Sequence, residues 1–185
     1  MEVEMNAEAK DKRLNRMVAI TVVVLSVFTG LCAIKDGNLV QAMQQAQSNS
    51  IDAWNEYQAD KVKLHVAEST RSEIATLAAG NPAAAAEVAR LDGEIAKYRA
   101  EAPMLQQQAR GFSGQYDALN VHDDQFDASE ALISTAISLA AVAALSESFW
   151  LLAAGWGFGA FGMFLGVCGF AKWGFHPDVL SNFLG

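Results

Sequence analysis

The sequence has little of what most enzyme and metal sites require. Of its 185 residues only three are histidines, and His65, His122 and His176 show none of the spacings of a zinc site. No H-E-x-x-H, phosphate-binding loop or G-x-S-x-G motif occurs. The two cysteines, Cys32 and Cys168, fall in apolar surroundings, and we expect them to be packing residues, with a disulfide as the alternative. We therefore expect a protein that is not an enzyme and carries no cofactor.

Charge is absent from three long stretches, residues 17–34, 131–146 and 148–171. About 20 apolar residues are enough to cross a bilayer as a helix. We predict an all-α integral membrane protein with transmembrane helices at residues 17–34, 128–146 and 149–171. Ion pathways and proton relays usually place an ionisable residue inside the membrane, so the absence of charge argues against a transporter.

Basic residues are concentrated before the first apolar run, and Lys35 alone follows it closely. The four that precede it are Lys10, Lys12, Arg13 and Arg16. This asymmetry predicts a cytoplasmic N-terminal tail, residues 1–16. No small-x-small cleavage site follows the run, so we expect an anchor that is not cleaved. Three spans then place residues 35–127 and the C-terminal tail, residues 172–185, on the far side of the membrane.

Between the first two spans, Gly80, Asn81 and Pro82 predict a tight turn between two helices. Glycine is typical just after a helix, asparagine caps the next helix, and proline suits its first position. On both sides of the turn, apolar residues recur at spacings of four and three, and the two patterns are mirror images about Asn81. The symmetry predicts a long extramembrane antiparallel coiled-coil hairpin over residues 35–127.

Two features interrupt this pattern. Pro103 lies in the second arm, and we expect a kink or break between Glu101 and Gly114. Three polar residues interrupt the first arm: Ser50, Asp60 and Arg71. Such residues either control the register or border a solvated gap, or they contact a helix of a neighbouring subunit.

Polar residues are densest at V-H-D-D-Q-F-D, residues 121–127, and the mirror symmetry brings Asp36 beside them. Four of them could hold a divalent cation, or gather cations and protons at a pore mouth: His122, Asp123, Asp124 and Asp127. Alternatively, Asp127 and Glu130 form a capping box that opens the second span, and the carboxylates need no ligand. We favour the capping interpretation.

Five glycines of the last apolar run fall at spacings of 4, 3, 4 and 3 and form one helical face: Gly155, Gly159, Gly162, Gly166 and Gly169. Small residues at such spacing let helices approach closely in lipid. The second span offers a complementary face of Ala136, Ala140 and Ala143. We favour packing of these two faces within one chain; association between subunits and a pore wall are the alternatives.

These patterns predict a non-enzymatic scaffold or assembly protein. It would act through its coiled coil, as a homo-oligomer or as an accessory subunit of a larger membrane complex. The alternative is a small channel or ion-handling protein with the acidic cluster at the outer membrane surface. Residues 35–130 carry 8 basic and 15 acidic side chains, a net charge of −7, so we expect membrane lipid and protein partners but no nucleic acid.

Segments spread along the chain carry a further signal: KDKRLNR, CAIKDGNLVQAMQQAQ, WNEYQADKVKLH, YDALNVHDDQFDASEAL and GFHPD. They resemble bacterial membrane proteins grouped as domain of unknown function 4337. The resemblance implies a protein of the bacterial inner membrane with three spans, a cytoplasmic N-terminus and a periplasmic stalk. It implies no activity, because the family has none assigned.

Overall fold

The structure, a computed structural model, describes residues 2–78 and 80–175, with side chains from Lys12 onward. Within these ranges the chain forms three α-helices and no strand: α1 (Glu2–Leu77), α2 (Pro82–Leu145) and α3 (Phe149–Ala171). The all-α prediction is confirmed. His176 and most of the predicted C-terminal tail lie outside the described residues.

Each helix contains a stretch long and apolar enough to cross a membrane, by length and composition. In α1 and α2 the apolar stretch is one part of a longer helix, because α1 also contains the predicted N-terminal tail and the first arm of the predicted stalk. In α3 the apolar stretch is the whole helix, from Phe149 to Ala171. The chain therefore has the helices of an integral membrane protein.

Of the kink or break predicted between Glu101 and Gly114, the break is wrong, because α2 is helical without interruption from Pro82 to Leu145. The kink stays a prediction. A proline within a helix removes one backbone hydrogen bond and crowds the preceding turn, at a cost of about 3 kcal/mol. In a 64-residue helix the remaining bonds and the packing along its length outweigh that cost.

By its contacts the chain divides into two units. One, which we call the three-helix unit, comprises residues 1–42 together with 118–185; the other, the two-helix unit, comprises residues 43–117. Each unit has its own buried side chains.

The three-helix unit buries side chains from all three helices in two clusters. Leu14, Val18, Ala140, Ala143 and Leu152 form the first. Leu25, Ile133 and Ala136 form the second. The opposite side of α1 exposes Val23, Val27 and Leu31, at helical spacings of four. An apolar outer surface around an apolar core is the distribution expected of helices in lipid.

The two-helix unit has one small apolar cluster, in which Ala67 of α1 meets Leu91 and Ile95 of α2. Polar contacts also join the two helices. Arg71 pairs with Asp92, Arg99 pairs with Glu68, and the hydroxyls of Ser50 and Ser113 lie 2.9 Å apart. Two of the three polar residues that interrupt the first arm, Ser50 and Arg71, therefore contact α2 of the same chain. The third, Asp60, is buried and pairs with Lys63 on α1.

The connections between the helices are short. Gly80 has φ +90°, a conformation that suits glycine, and the Asn81 side-chain oxygen accepts a hydrogen bond from the Ala83 N–H at 2.9 Å before α2 begins at Pro82. Between α2 and α3, Glu147 has φ 51°, and the Ser148 N–H donates to the Ala143 carbonyl oxygen at 3.1 Å.

Candidate functional site

The glycine face of α3 lies against α2 and α1 of the same chain. All five of its glycines are buried. A Cβ placed at Gly155 would lie 3.1 Å from the Ala136 carbonyl oxygen, and one at Gly162 would lie 3.0 Å from the Ser129 carbonyl oxygen. Both positions bring backbone against backbone, which is the close approach that glycine permits. The face is therefore covered within one chain and is not available to a second copy.

Two of these glycines pack against aromatic rings. A Cβ at Gly166 would lie 2.7 Å from the Phe28 ring of α1, and one at Gly169 would lie 2.8 Å from the Phe126 ring of α2. Phe126 is also in edge-to-face contact with Phe170, with ring centroids 5.3 Å apart. The spacing of the glycines does not reveal these ring contacts, because the two phenylalanines come from other parts of the sequence.

Gly157 is not part of this face, and among the described residues no atom beyond the adjoining backbone of its own helix lies within 4 Å of a Cβ placed there. Residues 157–162 also match the letters of the G-x-G-x-x-G pattern of dinucleotide sites. That pattern requires a turn between a strand and a helix, whereas these residues lie inside α3. The match therefore has no structural basis here.

The acidic cluster includes residues of two helices, because the side chain of Asp36 on α1 acts on the carboxyl group of Asp123 on α2. Asp36 Oδ1 and Asp123 Oδ1 are both buried, and neither has a hydrogen-bond donor. Burial and the contact with Asp36 raise the pKa of Asp123 to about 7. Asp123 therefore keeps its proton to a higher pH than an ordinary aspartate does.

Further carboxylates surround this pair. Asp124 and Asp127 also raise the pKa of Asp123. The pKa of Asp127 is raised in turn, mainly by burial and then by Asp36, Asp124 and Glu130. Asp124 accepts a hydrogen bond from the Asn120 side chain at 3.4 Å.

The capping interpretation of Asp127 and Glu130 is wrong, because both residues lie inside α2 and no helix begins there. Within the part of the chain that the structure describes, no group of three His, Cys, Asp or Glu side chains could hold a metal ion. Consecutive residues of one helix point about 100° apart, so His122, Asp123 and Asp124 do not converge. The His122 Nδ1–H instead donates to the Gln125 side-chain oxygen at 3.1 Å.

Gln125 is a buried residue that the sequence does not single out. Its side-chain amide donates to the carbonyl oxygens of Trp173, at 2.8 Å, and Phe175. These carbonyls follow the end of α3, where Lys172 adopts a left-handed conformation with φ 53°. Gln125 therefore fastens the segment after α3 to α2, but in the sequence it is one polar residue among several.

The two cysteines are free and buried, so the alternative of a disulfide is not realised. Cys32 belongs to α1 and Cys168 to α3, and both lie in apolar stretches of those helices. They are packing residues in this structure.

The comparison with known proteins gives one match. A family model described as a domain of unknown function, DUF4337, matches residues 14–172. No curated protein and no solved structure matches the chain. The matched residues include all of α3, both short connections and the whole acidic cluster. Because the match covers far more than half of the sequence, the chain belongs to the family of domain of unknown function 4337.

Proposed function

We propose that this chain is a non-enzymatic scaffold or assembly protein of the bacterial inner membrane. In this proposal α1, α2 and α3 anchor it with a cytoplasmic N-terminus, and the two-helix unit is an antiparallel coiled coil in the periplasm. It acts as a homo-oligomer or as an accessory subunit of a membrane complex. The basic residues before the first apolar run support the orientation, and the contacts between α1 and α2 support the coiled coil.

The observation that carries the proposal is a row of exposed aliphatic residues on α1, which we call the outer row. Its members are Ile51, Val62, Val66 and Leu77, with exposed fractions of 52%, 62%, 59% and 78%. Val62 follows Ile51 by eleven positions, and Leu77 follows Val66 by eleven positions. Eleven residues make about three helical turns, so the four side chains lie along one side of the helix.

The outer row lies on the side of α1 opposite the contact with α2. Leu64 and Ala67 belong to the cluster formed with α2. Leu64 follows Val62 by about 200° around the helix axis, and Ala67 follows Val66 by about 100°. Single exposed aliphatic residues are ordinary on a protein surface, whereas Val62 and Val66 are one turn apart, at the i, i+4 spacing that helices use to bind one another. This favours a protein partner along the two-helix unit.

The proposal is tested with Val66→Asp, which places a charge in the middle of the outer row without touching the buried cluster. We expect the full chain, extracted from its native membrane in mild detergent, to lose most of its higher-mass complex. Ser72→Asp is the matched control, because it makes the same change of charge at an exposed position of α1 that is rotated about 120° from Val66, and it removes no aliphatic side chain.

Native mass measurement and crosslinking through cysteines placed along α1 provide the readout, with circular dichroism to verify helix content. A complex that survives Val66→Asp unchanged would argue against the outer row. A wild-type chain that is monomeric and free of partners in its native membrane would exclude the scaffold function itself.

A second candidate function, a small ion-handling protein, is favoured by the contact between Asp36 and Asp123. It predicts ion flux in liposomes that is lost when Asp123, Asp124 and Asp127 are replaced by asparagine. Flux that is absent from the wild type, or unchanged in the triple variant, would remove this candidate.

A further inference from the structure

The outer row is part of a longer stripe of exposed residues on α1. Four further exposed residues lie between its members: Asn55, Ala59, Ser69 and Glu73. The eight residues, which we call the outer stripe, follow one another at spacings of 4, 4, 3, 4, 3, 4 and 4. At about 100° per residue, all eight point within about 40° of the direction opposite Leu64, which packs against α2. The outer stripe is therefore one continuous face that α2 leaves uncovered.

The outer stripe is symmetric about Leu64. Ile51 and Leu77 each lie 13 positions from Leu64, and Val62 and Val66 each lie two positions from it. The four residues between them form two further symmetric pairs, at nine and five positions. A two-fold interface between identical chains is self-complementary, so that residue i contacts residue j and residue j contacts residue i. A helix face that is symmetric about its midpoint satisfies this condition when two copies pack antiparallel.

We infer that the outer stripe binds the outer stripe of a second copy of this chain, with the two α1 helices antiparallel and the two-fold axis opposite Leu64. The inference rests on the proposed function, because it names the partner of the same surface. In this pair Ile51 meets Leu77 of the second copy, and Val62 meets Val66 of the second copy. Every member of the outer row is therefore covered by another aliphatic side chain.

The polar residues of the outer stripe favour this orientation over a parallel one. Glu73 is the only charged residue of the outer stripe. In the antiparallel pair it meets Asn55 of the second copy, whose side-chain N–H groups are donors for a carboxylate, and the symmetry repeats this contact. In a parallel pair in register, Glu73 would face Glu73 of the second copy, and like charges repel.

The antiparallel orientation has a consequence for the membrane anchors. The apolar stretch at residues 17–34 precedes the outer stripe within the same helix, α1. Antiparallel helices begin at opposite ends of the pair, so the two copies are anchored in membrane surfaces that face each other. Each copy contributes only four aliphatic side chains, so a single contact is weak and many copies between two surfaces act together.

The experiment uses the full chain in two populations of zwitterionic lipid vesicles, with Cys32 and Cys168 replaced by alanine. One population carries Ile51→Cys, and the other carries Leu77→Cys. We expect mixing to cluster the vesicles and, under mild oxidation, to form a disulfide between the two chains. Vesicles with Ile51→Cys alone should form no such dimer, because its two cysteines would lie about 39 Å apart along the helix pair.

Two substitutions at Asn55 should change the clustering, measured by light scattering, in opposite directions. Asn55→Lys places an ammonium group opposite Glu73 of the second copy, and we expect clustering to increase several-fold. Asn55→Asp places two carboxylates opposite each other and should remove most of the clustering. Ser72→Asp is the matched control, because it adds the same charge at an exposed position of α1 outside the outer stripe, and it should change little.

The inference would be overturned by vesicles that stay dispersed when the wild-type chain is present. A disulfide that forms in Ile51→Cys alone, or clustering that Asn55→Lys weakens, would indicate a parallel pair and overturn it equally. The complex in the native membrane tests the scaffold function separately. If that complex persists while the vesicles stay dispersed, the scaffold function stands and the outer stripe binds a different protein.

Discussion

The three-helix unit and the two-helix unit bring helices together by different means. In the three-helix unit α3 presents a glycine face, and backbone carbonyls and aromatic rings occupy the space that side chains would otherwise fill. In the two-helix unit a small cluster around Leu91 and several polar pairs join α1 to α2. Packing against the glycine face of α3 depends on shape and tolerates little added volume. The contact between α1 and α2 in the two-helix unit is distributed over side chains that can adjust.

This difference matches the two surroundings that we propose. In lipid there is little hydrophobic gain when apolar helices meet, so association depends on close packing. In water, burial of a few apolar side chains stabilises a helix pair, and polar contacts select its register. The following variants test whether the contrast is real, from the largest expected effect to the smallest.

Gly162→Val should be the most damaging change. The added Cβ would lie 2.8 Å from Ile133 Cγ1 and 3.0 Å from the Ser129 carbonyl oxygen, and a backbone atom has little room to move. We expect a loss of about 3 kcal/mol in the free energy of unfolding. The measurement is unfolding of the full chain, followed by Trp156 fluorescence after the other three tryptophans are changed to phenylalanine.

Gly157→Val on the same helix is the matched control for this variant, because in the described part of the chain no other element comes within 4 Å of a Cβ at that position. Equal stability of the two valine variants would contradict the steric account of the glycine face. It would also remove the main distinction between the two units.

Leu91→Ala tests the cluster of the two-helix unit. Leu91 is buried against Ala67, and truncation should cost about 2 to 3 kcal/mol, at the lower end of the range for core leucines because the cluster is small. Trp54 is the only tryptophan between residues 43 and 117, so its fluorescence reports on this unit. Leu77→Ala, at an exposed position, should have a much smaller effect; an equal effect would mean that the cluster does not hold the helix pair.

Gln125→Ala should have an intermediate effect, confined to the three-helix unit. It leaves the Trp173 and Phe175 carbonyl oxygens without their donor, at a cost of about 1 to 2 kcal/mol. In a chain whose sole tryptophan is Trp173, we expect red-shifted emission as the segment after α3 detaches. Gln107→Ala, an exposed change on the same helix, serves as the control. Unshifted Trp173 emission would show that other contacts hold this segment.

Arg71→Ala should have the smallest effect of the four. The Arg71 and Asp92 side chains are 44% and 49% exposed, and solvent screens ion pairs of this kind. We expect no measurable change in the unfolding midpoint reported by Trp54, at low or high salt. A clear decrease that high salt abolishes would show that surface charge, and not the cluster around Leu91, dominates the two-helix unit.

The sequence predicts the helices of this protein better than it predicts their ends. Runs without charge mark the three apolar stretches, and the Gly80-Asn81-Pro82 signal coincides with the gap between α1 and α2. Pro103 misleads because a local penalty does not decide the state of a long helix. The residues around Asp127 mislead for a related reason: the letters of a capping box carry no information about whether the chain is already helical.

The sequence likewise predicts only part of the candidate site. The glycine face follows from spacing along one helix, and its contact with Ala136 follows from the neighbouring helix. The rings of Phe28 and Phe126, the role of Gln125 and the burial of Asp123 depend on contacts between distant residues. Only the mirror symmetry about Asn81, which places Asp36 near residues 121–127, anticipates one of these from the sequence.

The turn at Gly80 has a consequence for the length of the two-helix unit. Among the described residues, no atom other than those of its chain neighbours lies within 4 Å of a Cβ at Gly80, so an insertion there would disturb few contacts. If seven residues are added on each side of it, every existing pair keeps its partner, and each helix gains about 10 Å. The length of the two-helix unit is therefore modular: paired heptad insertions or deletions would change it in steps while leaving every residue of the three-helix unit unchanged.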